Sequence, residues 1–390
     1  MIHSLLENDM YKFSMGQCIY NNFADYNVTW RFKFRNWAEF GKVTPAMLQI
    51  IKDRVNDYCL LRFCEWELDY LKSIPWIKPA YVDYLRFWHP RKQAITITDN
   101  DPCGLAITVQ GSWLDTSMYE VPILAIISEV LSSYNRDNTP CQNRATEILE
   151  ELADSNVFFS EFGLRRRYSQ ELHNRIVKTL ASDTYKGNFL GTSNVYLAHL
   201  YGVKPMGTMA HEFIMCTGQG NQHLNPAFSN HTMMEAWTNE YGVDNGIALT
   251  DTLGTKLFLK DFNKKFATLF SGVRHDSGDP YEWGMRIINH YQQLGIDPRT
   301  KTLLFSDSLN AEKAVELAST FKDKAKVAFG IGTFISNPAP IKPNIVMKVV
   351  ECNGNPVAKL SDTPGKGMCE DEDYIKHLND TIAWRLKKGN

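Results

Sequence analysis

Four successive apolar runs end on residues that can do chemistry. Ile247-Ala248-Leu249-Thr250 leads into Asp251, and Phe270-Ser271-Gly272-Val273 into Arg274, His275 and Asp276. Leu303-Leu304-Phe305 leads into Ser306 and Asp307, and Val327-Ala328-Phe329 into Gly330 and Gly332. About one βα unit separates each pair of endings. Carboxylates so placed hold Mg²⁺ directly or through water, Arg274 can clamp a phosphate in a bidentate fork, and the glycines let backbone N–H groups approach phosphate oxygens. A single Asp after a strand is usually a helix cap or a turn former. Four polar endings in register instead match the carboxyl edge where α/β barrels and open α/β sheets build their sites. Gly330-Ile331-Gly332 lacks the third glycine of a dinucleotide fingerprint and follows a late strand, so it does not indicate NAD binding.

Three other segments add polar groups. Gly191-Thr192-Ser193-Asn194 precedes a helical run, Val195 to Leu200, so Ser193 or Asn194 can cap it, and the same helix start can meet an anion. Val203 to Met209 is expected to be a strand, followed at once by Ala210-His211-Glu212. A His at such a junction suits acid/base or nucleophilic work, although a structural role fits as well. Phe158 to Tyr168 places Arg165, Arg166 and Arg167 behind an aromatic run, either as a solvated face or as a phosphate grip beside a stacking ring. The segment from Cys216 to His231 is rich in Gly, Asn, Gln and His. With no third ligand at suitable spacing for His223 and His231, it is read as a polar loop.

Elements must position these groups. Val28 to Arg35 and Ala94 to Thr98 alternate apolar and polar residues as half-buried strands do, and residues 45 to 72 read as helix. The aromatic block from Tyr58 to Trp88 reads as packing. Helices are expected at 121–134 and 142–153, joined by a turn cluster at 135–140. From about 155 onward the texture becomes a βαβα series: a helix from Tyr281 to Leu294 behind Asp279-Pro280, a strand at 302–305, a helix at 311–321 and a strand at 327–329. Periodicity leaves barrel and open sheet both available.

Bulk properties exclude more than they identify. At 390 residues the chain is long enough for two to three domains, and 42 basic against 44 acidic residues leave a formal charge of -2 with no field to attract nucleic acid or anionic lipid. No apolar stretch reaches membrane-spanning length and the start lacks an export signal, so a cytoplasmic protein is expected. Eight scattered cysteines without a C-x-x-C pair read as reduced thiols.

Taken in order, Asn8-Asp9-Met10-Tyr11-Lys12, Phe-Gly-x-Arg at 162–165, Gly-Thr-Ser-Asn at 191–194, Gly-Thr-Met-Ala-His-Glu at 207–212, Ala-Leu-Thr-Asp at 248–251, Arg-His-Asp-Ser-Gly-Asp-Pro at 274–280, Phe-Ser-Asp-Ser at 305–308, Phe-Gly-Ile-Gly-Thr at 329–333, Lys348 to Asn355 and Lys359-Leu360-Ser361-Asp362 resemble the nicotinate phosphoribosyltransferase family along nearly the whole chain. The resemblance implies an α/β protein with an N-terminal α/β sandwich domain (1–135), an irregular TIM-like α/β barrel (136–340) and a C-terminal segment (341–390) folding back onto the first. It implies phosphoribosyl transfer from 5-phosphoribosyl-1-pyrophosphate to nicotinate with Mg²⁺ and coupled ATP hydrolysis, in a homodimer whose Tyr11 and Phe162 sandwich the pyridine from two subunits.

By the same resemblance His211 is the histidine that ATP phosphorylates, with Glu212 orienting it. Asp251 and Asp276 are carboxylates around ribose and Mg²⁺, and Arg165 and Arg274 are phosphate or pyrophosphate ligands. Ser306, Asp307, Gly330 and Gly332 form the ribose 5-phosphate cradle, while Lys348 and Lys359 lie near the ATP phosphates. Nicotinamide-specific relatives carry Asp where this chain has Ser193; an Asp would repel a ring carboxylate, whereas a hydroxyl can donate to one. The alternatives are a nicotinamide phosphoribosyltransferase and a catalytically silent nucleotide-binding paralogue.

Overall fold

The computed structural model describes residues 1–134, 138–155, 157–185, 187–363, 367 and 369–388. The turn expected at 135–140 lies outside them at 135–137, as does the domain boundary drawn at 135.

Two sheets organise the chain. The first is antiparallel and mixes distant sequence: β1 (Asn27–Phe34), β2 (Ile95–Thr98), β3 (Ala106–Ser112), β10 (Ile345–Cys352) and β11 (Asn355–Pro356) lie in the order β11-β10-β1-β3-β2. Its centre is the β1–β10 ladder, in which Phe34 faces Ile345 and Arg31 faces Lys348. The buried rings of Trp30 and Trp113 pack beneath it, beside the N-terminal helix Met10–Asn22, which hides residues 10 to 19. The long helix expected at 45–72 is two, Pro45–Leu60 and Glu65–Ser73. Thr44 caps the first from behind a proline, and Glu67 accepts the backbone N–H of Cys64 to start the second.

The second sheet is parallel and follows the expected series. β4 (Phe159–Glu161), β5 (Phe189–Thr192), β6 (Ile247–Leu249), β7 (Gly272–His275), β8 (Thr302–Phe305) and β9 (Lys326–Ile331) run in the order β5-β4-β9-β8-β7-β6. Stacked or tilted rings line its interior: Phe305 meets Phe329 at 5.9 Å and His275 at 5.8 Å, while Phe159 meets Phe189 at 5.6 Å. Each fully buried Phe contributes about 1.5–3 kcal/mol.

The strand expected at 203–209 is instead an irregular extended stave. It forms one parallel bridge, Thr192 with Pro205, and the Thr208 hydroxyl donates to the Ile247 carbonyl, so it touches β5 on one side and β6 on the other. Pro205 has no N–H for a ladder and Gly207 sits at φ +141°, which explains why regular strand geometry fails while the barrel still closes.

The C-terminal segment serves both parts. Its strand β10 completes the first sheet, whereas its helix Glu372–Lys387 packs Leu378 and Ile382 against Ala227, Leu253 and Leu257 on the barrel side. Buried Arg385 fastens that helix by pairing with Asp261 and donating to the Ala227 carbonyl. Among the described residues no helix is long and apolar enough to cross a membrane.

Candidate active site

The carboxyl ends of the barrel strands and the edge of the first sheet enclose a cavity of about 500 Å³. Tyr11, Phe162, Arg165, Ser193, His211, Arg274, Asp276, Ser306, Asp307, Gly330, Gly332, Lys348 and Lys359 all line it; Asp251 sits immediately behind. Tyr11 and Phe162 of the same chain both line it. Asp9, Glu120, Arg35, Arg166, Lys342 and Asn344 also line the cavity.

At its floor four charged or titratable groups meet. His211 Nε2 lies 2.9 Å from Asp276 Oδ2 and 2.8 Å from Lys359 Nζ, while Nδ1 is 2.9 Å from Thr252 Oγ1. Lys359 also lies 3.1 Å from Asp251 and 3.7 Å from Asp276. Burial, then Lys359, drives the imidazole pKa down to about 4, against the pull of Asp251 and Asp276. The ring is therefore neutral near pH 7, and Nε2 can either accept from Lys359 or donate to Asp276, one at a time.

Burial alone would raise both carboxyls. His211 and Lys359 offset this at Asp251, and Arg274, His211 and Lys359 do so at Asp276, so both stay ionised. Ser277 donates to Asp251 Oδ2 at 2.6 Å, Ser306 donates to Asp276 Oδ1 at 3.1 Å, and buried Asp251 Oδ1 has no hydrogen-bond partner among the described residues. His211, Asp251 and Asp276 each offer an atom within 4.8 Å of the others. The two carboxylates, one with that unpartnered oxygen, suit a hard cation such as Mg²⁺.

The aromatic side is built differently. A Cβ on Gly330 would come within 2.4 Å of the Phe162 ring, so this glycine makes room for the ring. Tyr11 is buried, its hydroxyl without a partner among the described residues, and the Arg165 guanidinium lies 5.8 Å from the centre of the Tyr11 ring. Asn194 is the cap of the following helix, accepting from the Leu197 N–H. The Ser193 hydroxyl, which lines the cavity, donates to Asp9 Oδ1 at 2.6 Å.

Beneath the cavity runs a buried ion chain. Glu120 lies 3.5 Å from Arg165, 3.6 Å from Lys348 and 2.8 Å from Lys12, and Lys12 also bonds Glu212, the neighbour of His211. Glu212 therefore pairs with Lys12 and Trp113, and these, among the described residues, are its partners in place of the imidazole it was expected to orient. Burial lowers the Lys348 pKa to about 8 despite Glu120. Arg167 is not a solvated face: it is fully buried between Glu7 and Glu129. Arg35, Lys342 and Asn344 escaped sequence reading because only the long-range β1–β10 pairing brings them to the cavity; the Arg35 N–H donates to the Asn344 carbonyl at 2.9 Å.

A two-domain α/β-barrel protein, with a cation-rich cavity that joins two aromatic rings to a buried histidine–carboxylate cluster, is the class these features define. The model of the nicotinate phosphoribosyltransferase (NAPRTase) family matches residues 157–384, and the model of that family's N-terminal domain matches 6–128. The chain belongs to this family. It is 41% identical over 395 residues to nicotinate phosphoribosyltransferase of Xanthomonas axonopodis pv. citri (98% of each chain), and 42% identical over 394 residues to that of Bordetella pertussis (97% of this chain, 94% of the relative). Among solved structures it resembles a putative nicotinate phosphoribosyltransferase from Saccharomyces cerevisiae (TM-score 0.91, 34% identity, 98% of each chain) and one from Porphyromonas gingivalis (TM-score 0.90, 31% identity, 98% of this chain, 100% of that one).

Proposed function

We propose that this chain transfers the phosphoribosyl group of 5-phosphoribosyl-1-pyrophosphate to the ring nitrogen of nicotinate, forming nicotinate mononucleotide and pyrophosphate for NAD synthesis, with ATP hydrolysis coupled through phosphorylation of His211. The observation that carries this reading is the meeting, in one cavity, of Tyr11 and Phe162 with Arg165, Arg274, Lys348 and the His211 cluster.

The bond from ribose C1 to the pyrophosphate oxygen breaks with its electron pair leaving on pyrophosphate, while the pyridine lone pair forms the new N–C1 bond. No proton moves, so no general base is needed. Arg165, Arg274 and Lys348 receive the leaving anion, and the Asp276 and Asp251 carboxylates stabilise the positive charge that develops on the sugar. Ser306 and Asp307, with the Gly332 backbone, face the ribose 5-phosphate. Asp251 and Asp276 would hold Mg²⁺, directly or through water, and the ion supplies charge neutralisation at the pyrophosphate. In the coupled step neutral His211 keeps Nδ1–H toward Thr252, and its Nε2 lone pair attacks the γ-phosphorus as the bond to ADP breaks. Lys359 neutralises the phosphoryl group.

The Ser193 hydroxyl, which can turn its proton from Asp9 to a ring carboxylate, favours nicotinate over nicotinamide. A homodimer belongs to this reading, with Tyr11 and Phe162 meeting the pyridine from two subunits, and the cytoplasm as the place where 5-phosphoribosyl-1-pyrophosphate and ATP are met. The test is pyrophosphate release from purified protein with nicotinate or nicotinamide, each with and without ATP. ATP-stimulated release with nicotinate is expected. Release with nicotinamide alone overturns the substrate, and none with either base supports a silent paralogue.

A further inference from the structure

The glutamine- and glycine-rich stretch after His211 has no role in the chemistry above, yet it makes one specific connection. His211 opens a short helix, His211–Ile214, that continues directly into a π-helical turn, Met215–Gln219. The wider turn carries the Gln219 side chain, itself buried, onto the backbone of Ala358. Its amide nitrogen donates to the Ala358 carbonyl at 2.9 Å and its amide oxygen accepts the Ala358 N–H at 2.7 Å. This two-way pairing mimics the exchange of bonds in a strand ladder. The Tyr374 hydroxyl, from the C-terminal helix, donates to the same Gln219 oxygen at 3.0 Å. Ala358 is fully buried and immediately precedes Lys359, whose Nζ lies 2.8 Å from His211 Nε2.

We propose that Gln219 is a positioning residue that fixes Lys359 against His211, so that both partners are set by the two ends of one nine-residue helical segment. This rests on the assignment of His211 and Lys359 to ATP coupling, and it assigns a task to a segment whose composition alone suggests only a polar loop. An amide is required because it must donate and accept at once; a carboxylate or an alkyl chain satisfies one backbone group or neither. π-turns inserted in helices recur at functional sites for this reason, since they redirect one side chain without breaking the helix.

Two measurements test it and separate it from the reading on which it rests. The first is the rate at which an amine-acetylating reagent labels Lys359, followed by mass spectrometry on the intact enzyme without nucleotide. Gln219→Leu is expected to raise that rate about tenfold, the scale of losing a paired hydrogen bond, and Gln219→Glu, which keeps the shape and one bond, to raise it less. Unchanged labelling in both variants overturns the positioning role whatever the enzyme's activity. The second is a double-mutant cycle on ATP stimulation of pyrophosphate release with Gln219→Leu and Lys359→Met. The double variant is expected to be no worse than Lys359→Met alone, and losses that multiply overturn the proposal. If Lys359→Met leaves ATP stimulation intact while Gln219→Leu still exposes Lys359, the coupling assignment fails and the positioning role stands.

Discussion

Gly330→Ala separates two functions for the end of β9. The backbone there is outside the left-handed region, so alanine adds no torsional strain; the conflict is wholly with Phe162. A methyl carbon would lie 2.4 and 2.5 Å from two ring atoms, where ordinary contact begins at 3.4 Å. The ring must therefore recede by about 1 Å, or the strand must, at an overpacking cost of about 1–3 kcal/mol. Phe162 is tied at its own backbone, its N–H donating to the Ile331 carbonyl at 2.9 Å, so the displacement falls on the ring. An aromatic stack contributes about 0.5–1.5 kcal/mol, so a displaced ring should raise KM for nicotinate about 2- to 12-fold. The assay is initial velocity with each substrate varied at saturating levels of the other, together with Tm. We expect KM for 5-phosphoribosyl-1-pyrophosphate to hold within about twofold, because Arg165, Arg274 and Lys348 are untouched. A rise in that KM with the nicotinate KM unchanged would refute the argument and return Gly330 to a phosphate cradle.

Four further outcomes are expected. His211→Ala should abolish ATP stimulation and phosphoenzyme formation while leaving slower ATP-independent transfer, read with γ-labelled ATP; full stimulation rejects the phosphohistidine. Ser193→Asp should weaken nicotinate more than nicotinamide, because it sets a second carboxylate beside Asp9, and equal losses would mean that Ser193 only braces Asp9. Lys12→Met should destabilise the protein by about 3–5 kcal/mol in urea unfolding, since it strands buried Glu212 and takes the nearest cation from Glu120; a loss under about 1 kcal/mol would contradict the buried ion chain. Because the Lys348 pKa lies near 8 in the folded protein, below its ordinary 10.5, the unfolded chain binds more protons between these values. This lysine therefore adds stability as pH rises through that interval, while KM for 5-phosphoribosyl-1-pyrophosphate rises as the cation is lost. Lys348→Arg should move the alkaline limb upward, and an unmoved limb would assign it to another group.

The parts of the site that local sequence reveals are those carried on parallel strands. Asp251, Asp276, Asp307 and Gly330 lie where apolar runs stop, and a run that stops is visible without a partner. Val203 to Met209 misleads because its apolar content resembles a strand, while Pro205 and Gly207 prevent the ladder. Glu120 gives no signal at all: it opens a buried apolar helix as the one acid of its first turn, and only the approach of Lys12, Arg165 and Lys348 from three distant segments gives it a purpose. Ser193 lines the cavity, but its hydrogen-bond partner Asp9 lies 184 residues upstream, invisible to spacing.

The β1–β10 ladder also sets a timetable. β1 ends at residue 34 and its neighbour β10 begins at 345, so during synthesis the first sheet waits for more than three hundred residues before its centre closes. At about 5–20 residues per second that is on the order of 15–60 s with one edge of β1 unpaired. Residues 1–134 cannot finish folding ahead of the barrel, and a ribosome that stalls late releases a chain whose open β1 edge invites pairing with another copy.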